Sequence, residues 1–117
     1  MNLSKQGVYR NRRLLNLAHR VQECQFKTPY CVGFQAHGCN PCHSNHQEHG
    51  KGIGIKAGDQ WHCIGCNECH AAYDGGKLGD KAKELFLAAR ERTFAYYRKF
   101  NWLNKVGYAD KKEKSCL

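Results

Sequence analysis

The residues best placed to do chemistry sit in two copies of one short string, Cys39-Asn40-Pro41-Cys42-His43 and Cys66-Asn67-Glu68-Cys69-His70. Cys24 and Cys31 precede them, and Cys63 forms an overlapping Cys-x-x-Cys with Cys66. Thiolates and imidazoles at this density are the ligands of zinc, which takes four of them in a tetrahedron, and a two-residue spacing lets one turn supply two. Cys66 and Cys69 make the later pair. The earlier pair is open between Cys24/Cys31 and Cys39/Cys42, and spacing alone favours Cys39/Cys42 because the two-residue knuckle is tighter. A zinc that only holds the fold together explains these cysteines as well as a catalytic one does.

The same string is also the attachment signature of c-type haem. No haem is expected here. Met1 is the only methionine, so no Met axial ligand is at hand, and haem would leave the other cysteines and the charge unexplained. Attachment of this kind also takes place outside the cytosol, and the start of the chain has no export pattern. We therefore expect a reducing, cytoplasmic setting, where eight cysteines mean metal rather than disulfides.

The elements that must position these residues come in four parts. Residues 1–22 read as a basic helix or arm. Leu14, Leu17, Ala18 and Val21 recur at helical spacing, and Lys5, Arg10, Arg12, Arg13 and Arg20 stand among them without one acid. Residues 23–79 form the cysteine-rich core, with a Gly-rich basic loop at Gly50-Lys51-Gly52-Ile53-Gly54-Ile55-Lys56 and no long regular element before Asp59. Residues 80–104 read as a long helix with Asp80 as N-cap. Its stripe of Ala82, Leu85, Phe86, Ala89, Thr93, Tyr96, Tyr97, Phe100 and Leu103 faces either the core or a second copy in a homodimer, with Lys83, Arg90, Glu91 and Arg98 off it. Residues 105–117 read as a flexible tail carrying a spare thiol, Cys116.

A chain of 117 residues fits one domain. Its Gly-, His- and Cys-rich middle supplies little core, so a metal is expected to complete the fold. No apolar run reaches membrane-spanning length. Nineteen Lys and Arg against ten acids leave a formal charge of +9, which suits a polyanion, and nucleic acid is the commonest one. Lys51 and Lys56 among glycines would let backbone and charge approach a phosphate together. The arginines Arg10, Arg12 and Arg13 are a second candidate DNA-contacting set, beside the plainer reading of a solvated helix face.

The order of these features resembles the HNH, or ββα-metal, nucleases: an early Cys pair, a strand ending in His43, a loop, then a helix opening with Cys66-x-x-Cys69-His70. More closely, Cys24 to Gly76 resembles the YbcO-like family of phage and prophage nucleases. The matching strings are His43-Ser44-Asn45, His49-Gly50-Lys51-Gly52, Gly54-Ile55-Lys56-Ala57, Asp59, and Cys66-x-x-Cys69-His70-x-x-x-Asp74-x-Gly76. The resemblance implies an α+β fold with a small treble-clef-like core and flanking helices. It places Cys42 next to the catalytic position and so moves the structural zinc to Cys24, Cys31, Cys66 and Cys69. It implies His43 as the general base of a DNA endonuclease. His70 and Asp74, one turn apart on a helix, would bind a catalytic Mg²⁺, Mn²⁺ or Zn²⁺.

The strand departs from the pattern in carrying Cys42 where an acid or a second His is usual. His46, His49 or His43 itself is then the candidate third ligand, and His49 the reserve base. Asn45 or Asp59 is expected to brace the loop, or Asp59 only to cap the next turn. Trp61 and Tyr73 are expected in the core, and His19, His37 and His62 at packing or surface positions. The alternative function is a non-catalytic zinc module that binds DNA or assists recombination.

Overall fold

The computed structural model describes residues 8–110 and the backbone pairing of residues 2 and 3. Lys5, Cys116 and the tail from residue 111 lie outside the described residues. β1 (Asn2–Leu3) pairs antiparallel with β2 (Tyr9–Arg10). α1 (Arg12–Asn16) follows and tightens into a 3-10 turn at Leu17–Arg20. The N-terminal helix is therefore shorter than its periodicity predicts. Asn11 sets its start: the Asn11 side chain accepts the Leu14 N–H at 3.1 Å, and its own N–H donates to Asp59 Oδ2 at 2.7 Å. The apolar side of the pattern holds, since Leu14, Leu17, Ala18 and Val21 are all buried.

β3 (Asn40–His43) and β4 (His62–Gly65) form an antiparallel hairpin in which Cys42 faces Cys63 and His43 faces His62. Gly38 makes the approach to β3. Its φ is +90°, and a Cβ there would lie 2.1 Å from the His19 carbonyl oxygen, so only glycine passes. α2 (Asn67–Asp74) leaves β4 directly, with Cys66 as N-cap accepting from the Cys69 N–H.

A 3-10 turn at Gly79–Lys81 leads into α3 (Ala82–Lys99). Asp80 falls inside that turn instead of capping the helix. Asn101, at φ 57°, breaks the chain before α4 (Trp102–Lys105), so the predicted 80–104 helix is two helices. Most of its apolar stripe is core. Phe86, Ala89, Thr93, Tyr97 and Leu103 are buried, joined by Phe94, while Phe100 is exposed. α3 lies along β4: Thr93 Oγ1 accepts the Ile64 N–H at 2.8 Å, and the Tyr97 hydroxyl meets His62 Nε2 at 2.8 Å. A short strand with a bare edge would otherwise leave that buried N–H unpaired.

One apolar cluster draws on all three packed parts of the chain, from Leu14 through Phe26 and Ile64 to Phe94 and Val106. Phe86 stacks on Tyr73 at 5.4 Å and meets Phe26 edge-on, which seats α3 against α2. Packing continues past residue 105: Val106 is buried, and buried Asp110 pairs with Arg98. The tail expected from residue 105 is therefore packed through residue 110. The architecture is α+β, as the sequence predicts, and among the described residues no helix is long and apolar enough to cross a membrane.

Candidate metal centre and catalytic cleft

Cys24, Cys31, Cys66 and Cys69 converge, their four sulfurs lying within 4.8 Å of one another. Zinc–sulfur bonds of about 2.3 Å in a tetrahedron require sulfur–sulfur edges of about 3.8 Å, and Cys24 Sγ lies 3.7 Å from Cys69 Sγ. The donor set therefore fits a structural metal ion such as zinc. Backbone amides support it: Gly33 N–H donates to Cys31 Sγ at 3.1 Å, and Cys66 N–H to Cys24 Sγ at 3.2 Å. Thr28 Oγ1 sits 3.1 Å from Cys69 Sγ. Burial opposes the Cys66 thiolate, but N–H groups of Val32 and Cys69 and the adjacent thiols outweigh it and bring its pKa down to about 7.

The spacing argument for Cys39 and Cys42 is overturned. Neither belongs to the cluster, and Cys39, Cys42 and Cys63 are fully buried in the core. Burial first, then the neighbouring thiols, pushes Cys39 up to about 12 and Cys63 well above its ordinary value. They pack as small apolar side chains with unreactive thiols. Cys24 and Cys31 join the cluster because their loop is closed by Cys24 N–H on Gly33 C=O and tied to β4 by Gln25 N–H on Ile64 C=O, which leaves Cys24 Sγ against the Cys66 N–H at the N-cap of α2. No spacing rule records that.

A second site opens beside the hairpin. A cleft of about 520 Å³ is bordered by His43, Asn45, Lys51, Lys56, His70 and Asp74, with Pro41 and Ser44 between them. β3 delivers His43 at its last residue, and α2 delivers His70 and Asp74 from one face. His43 Nε2 lies 2.9 Å from Asp59 Oδ1. An aspartate accepting from Nε2–H holds the ring in the tautomer whose Nδ1 is a proton acceptor. Burial works against the Asp59 carboxylate. His43, the Asn11 N–H and Arg10 outweigh it and hold its pKa below the ordinary value.

His70 Nε2 pairs with Asp74 Oδ2 at 3.1 Å, and Asp74 Oδ1 accepts from Asn45 Nδ2 at 3.2 Å. Asn45 thus braces the acid on α2, and its own N–H donates to the buried Tyr73 hydroxyl at 2.9 Å. Among the described residues, no third His, Cys, Asp or Glu joins His70 and Asp74 in a ligand group; the four cysteines form the only such group. An imidazole and a carboxylate, both partly exposed, suit a divalent cation that keeps water and substrate oxygens as its other ligands.

Three expected site residues are placed elsewhere. His49 is buried, stacked on Trp61 with ring centroids 3.7 Å apart, and its Nδ1 meets Ser44 Oγ at 2.6 Å. Burial lowers its pKa, and it shores up the loop instead of entering the cleft. His46 likewise packs against Tyr73 and Phe86. Arg10 spends its guanidinium inside the protein, on the Lys56 and Ala57 carbonyls and Asp59. Arg12 is exposed, and Arg13 bonds the Lys105 carbonyl.

Asp59 is the residue whose role the sequence understated. It stands sixteen positions after His43, with nothing but its place among the matching strings to mark it as the partner of that histidine. Trp61 and Tyr73 pack as expected, and His62 is fully buried between the Asp59 carbonyl and Tyr97. A larger cleft, about 600 Å³ between Tyr9, Trp61, Arg90 and Tyr108, holds no His or Cys. Compared with family models, curated proteins and solved structures, the chain finds no match.

Proposed function

We propose that this protein is a metal-dependent endonuclease that hydrolyses DNA phosphodiesters, with a structural zinc, acting in a phage or prophage setting inside a bacterial host. The observation that carries the reading is the single cleft bordered by His43, Asn45, Lys51, Lys56, His70 and Asp74. The order of β3, β4 and α2 also agrees with the HNH resemblance.

In this reading Lys51 and Lys56 hold phosphates of the DNA backbone at the cleft. His43, oriented by Asp59, takes the proton of the attacking water on Nδ1, and the Asp59 carboxylate stabilises the imidazolium that forms. His70 and Asp74 would hold a Mg²⁺, Mn²⁺ or Zn²⁺ ion, which supplies Lewis acidity at the scissile phosphate when bound. Asn45 keeps Asp74 turned toward the cleft. The tetrathiolate stands apart from the reaction and fixes the start of α2, hence the direction of His70 and Asp74.

A non-catalytic DNA-binding zinc module is the second reading. It is favoured by one observation: Cys42, at the position where the pattern has an acid, is fully buried and lends no ligand to the cleft. Single-turnover cleavage of duplex, nicked, junction and single-stranded DNA with Mg²⁺, Mn²⁺ or Zn²⁺ decides between them. Wild type is expected to cut, and His43→Ala to cut about 10²–10⁴-fold more slowly with zinc content unchanged. His70→Ala and Asp74→Ala are expected to recover in part at high Mn²⁺. Wild type that cuts nothing leaves the binding module as the answer.

A further inference from the structure

Between Lys51 and Lys56 the chain makes a two-residue turn. Gly52 N–H donates to the Ile55 carbonyl at 3.0 Å, and Ile55 N–H returns the bond to Gly52 at 3.1 Å. Gly54 has a φ of +70°, which suits the third position of a type II turn and only glycine adopts freely. These bonds hold Ile53 at the apex, where its relative exposure is 104%. The root of the turn is fixed as well. Arg10 bonds the Lys56 and Ala57 carbonyls, and Gly58 N–H donates to His49 C=O at 2.9 Å.

An isoleucine at such an apex is unexpected. Turn apices ordinarily take Gly, Pro, Asn, Asp or Ser, whose conformational or hydrogen-bonding properties serve the turn. Ile53 serves neither the turn nor the core, and its whole side chain stands in water. It is flanked by the two lysines that border the His43 cleft. When those lysines engage phosphates, the apolar apex is carried to the bases between them.

Resting on the endonuclease reading above, we propose that Ile53 is a wedge that enters the base stack beside the scissile phosphate, so that the preferred substrate is DNA whose stacking is already weakened by a mismatch or a bulge. Apolar side chains inserted between base steps unstack and kink the duplex. The cost of that unstacking is least where pairing is already defective. One aliphatic side chain offsets only a fraction of the cost at a perfect step, so the wedge discriminates between intact and defective DNA. The flanking lysines act on both alike.

The test uses the full-length, zinc-loaded protein with duplexes carrying 2-aminopurine beside a mismatch or a bulge, and the fully paired equivalents. Wild type is expected to raise 2-aminopurine fluorescence at the defect and to prefer the defective duplex by on the order of tenfold, which partial burial of the Ile53 side chain can supply. Ile53→Ala should abolish both effects while zinc content, thermal melting and affinity for the paired duplex stay at wild type. Ile53→Phe should retain both. If Ile53→Ala keeps the fluorescence rise and the preference, or if wild type cuts DNA with no preference, the wedge is wrong and the endonuclease reading stands. If wild type binds no DNA at low salt, both fall.

Discussion

His43 and Asp59 carry the chemistry proposed at the scale of single residues. The pair is close at 2.9 Å, and Asp59 is simultaneously held by the Asn11 N–H and by Arg10. The carboxylate is therefore a fixed acceptor rather than a mobile surface acid. Asp59→Asn keeps the shape but can present an N–H to Nε2, which favours the wrong tautomer of His43. We expect a fall of about 10²-fold or more in single-turnover rate, with a changed pH–rate profile and unaltered zinc content. His43→Ala should mask the effect, because a positioning residue has nothing left to position. Additive losses in the double variant would show that Asp59 acts on folding instead. His49 illustrates the opposite outcome: a histidine in a matching string, buried against Trp61 and bonded to Ser44, supports the loop from behind.

At the scale of elements, α2 is the part on which both sites depend. Cys66 caps its N-terminus, its first turn carries Cys69, and its last carries Asp74, with His70 between. The helix is eight residues long, too short to be stable alone, so its direction is set by the sulfur cluster and by Tyr73 against Phe86. Thiolates at the N-terminus of the helix also favour its dipole. Metal binding in such a site is folding free energy. We expect one zinc per chain by elemental analysis. Chelation, or Cys69→Ser, should remove the cooperative thermal transition and expose Trp61 to solvent in fluorescence. Cys39→Ser or Cys42→Ser should leave zinc content unchanged and cost about 1–3 kcal/mol of stability by burying an extra hydroxyl. Zinc loss in those variants, or a metal-free protein that melts like the native one, would refute the assignment.

The whole molecule links the hairpin to the C-terminal helices through His62. This imidazole is fully buried, and desolvation first of all lowers its pKa to about 4 from an ordinary 6.5. The folded state therefore resists a proton that the unfolded chain accepts, and the unfolded chain binds more protons between about pH 6.5 and 4. Stability is complete above 6.5 and falls as pH drops through that window, by about 3 kcal/mol for His62 in full. His46 and His49, also lowered by burial, act in the same direction. Asp59 is depressed as well, but its contribution is lost only below its ordinary 3.8, outside the window. Urea unfolding at pH 7.5 and 4.5 measures the drop. Zinc release by thiol protonation adds a part common to wild type and His62→Gln. A shallower drop in His62→Gln isolates the histidine, and identical drops would show that His62 does not titrate with folding.

The sequence by itself determined the apolar face of the N-terminal helix, most of the α3 stripe and the shared face of His70 and Asp74, because residues at helical spacing have little freedom in where they point. The α+β class and the grouping of His43 and Asn45 with that pair come from the resemblance, not from periodicity or spacing. Spacing alone pointed to Cys39 and Cys42 for the metal, and only the resemblance turned the choice to Cys24 and Cys31. Tertiary structure decided which four cysteines come together, since Gln25 N–H reaches Ile64 C=O in β4 and Cys66 N–H reaches Cys24 Sγ. It also decided that Arg10 is an internal brace, that His49 is packing and that Asp59 faces His43. Those roles depend on which buried polar group finds which partner. That partnering is settled by how the loop from Ser44 to Trp61 lies against β2 and α3, and pattern in the chain does not encode it.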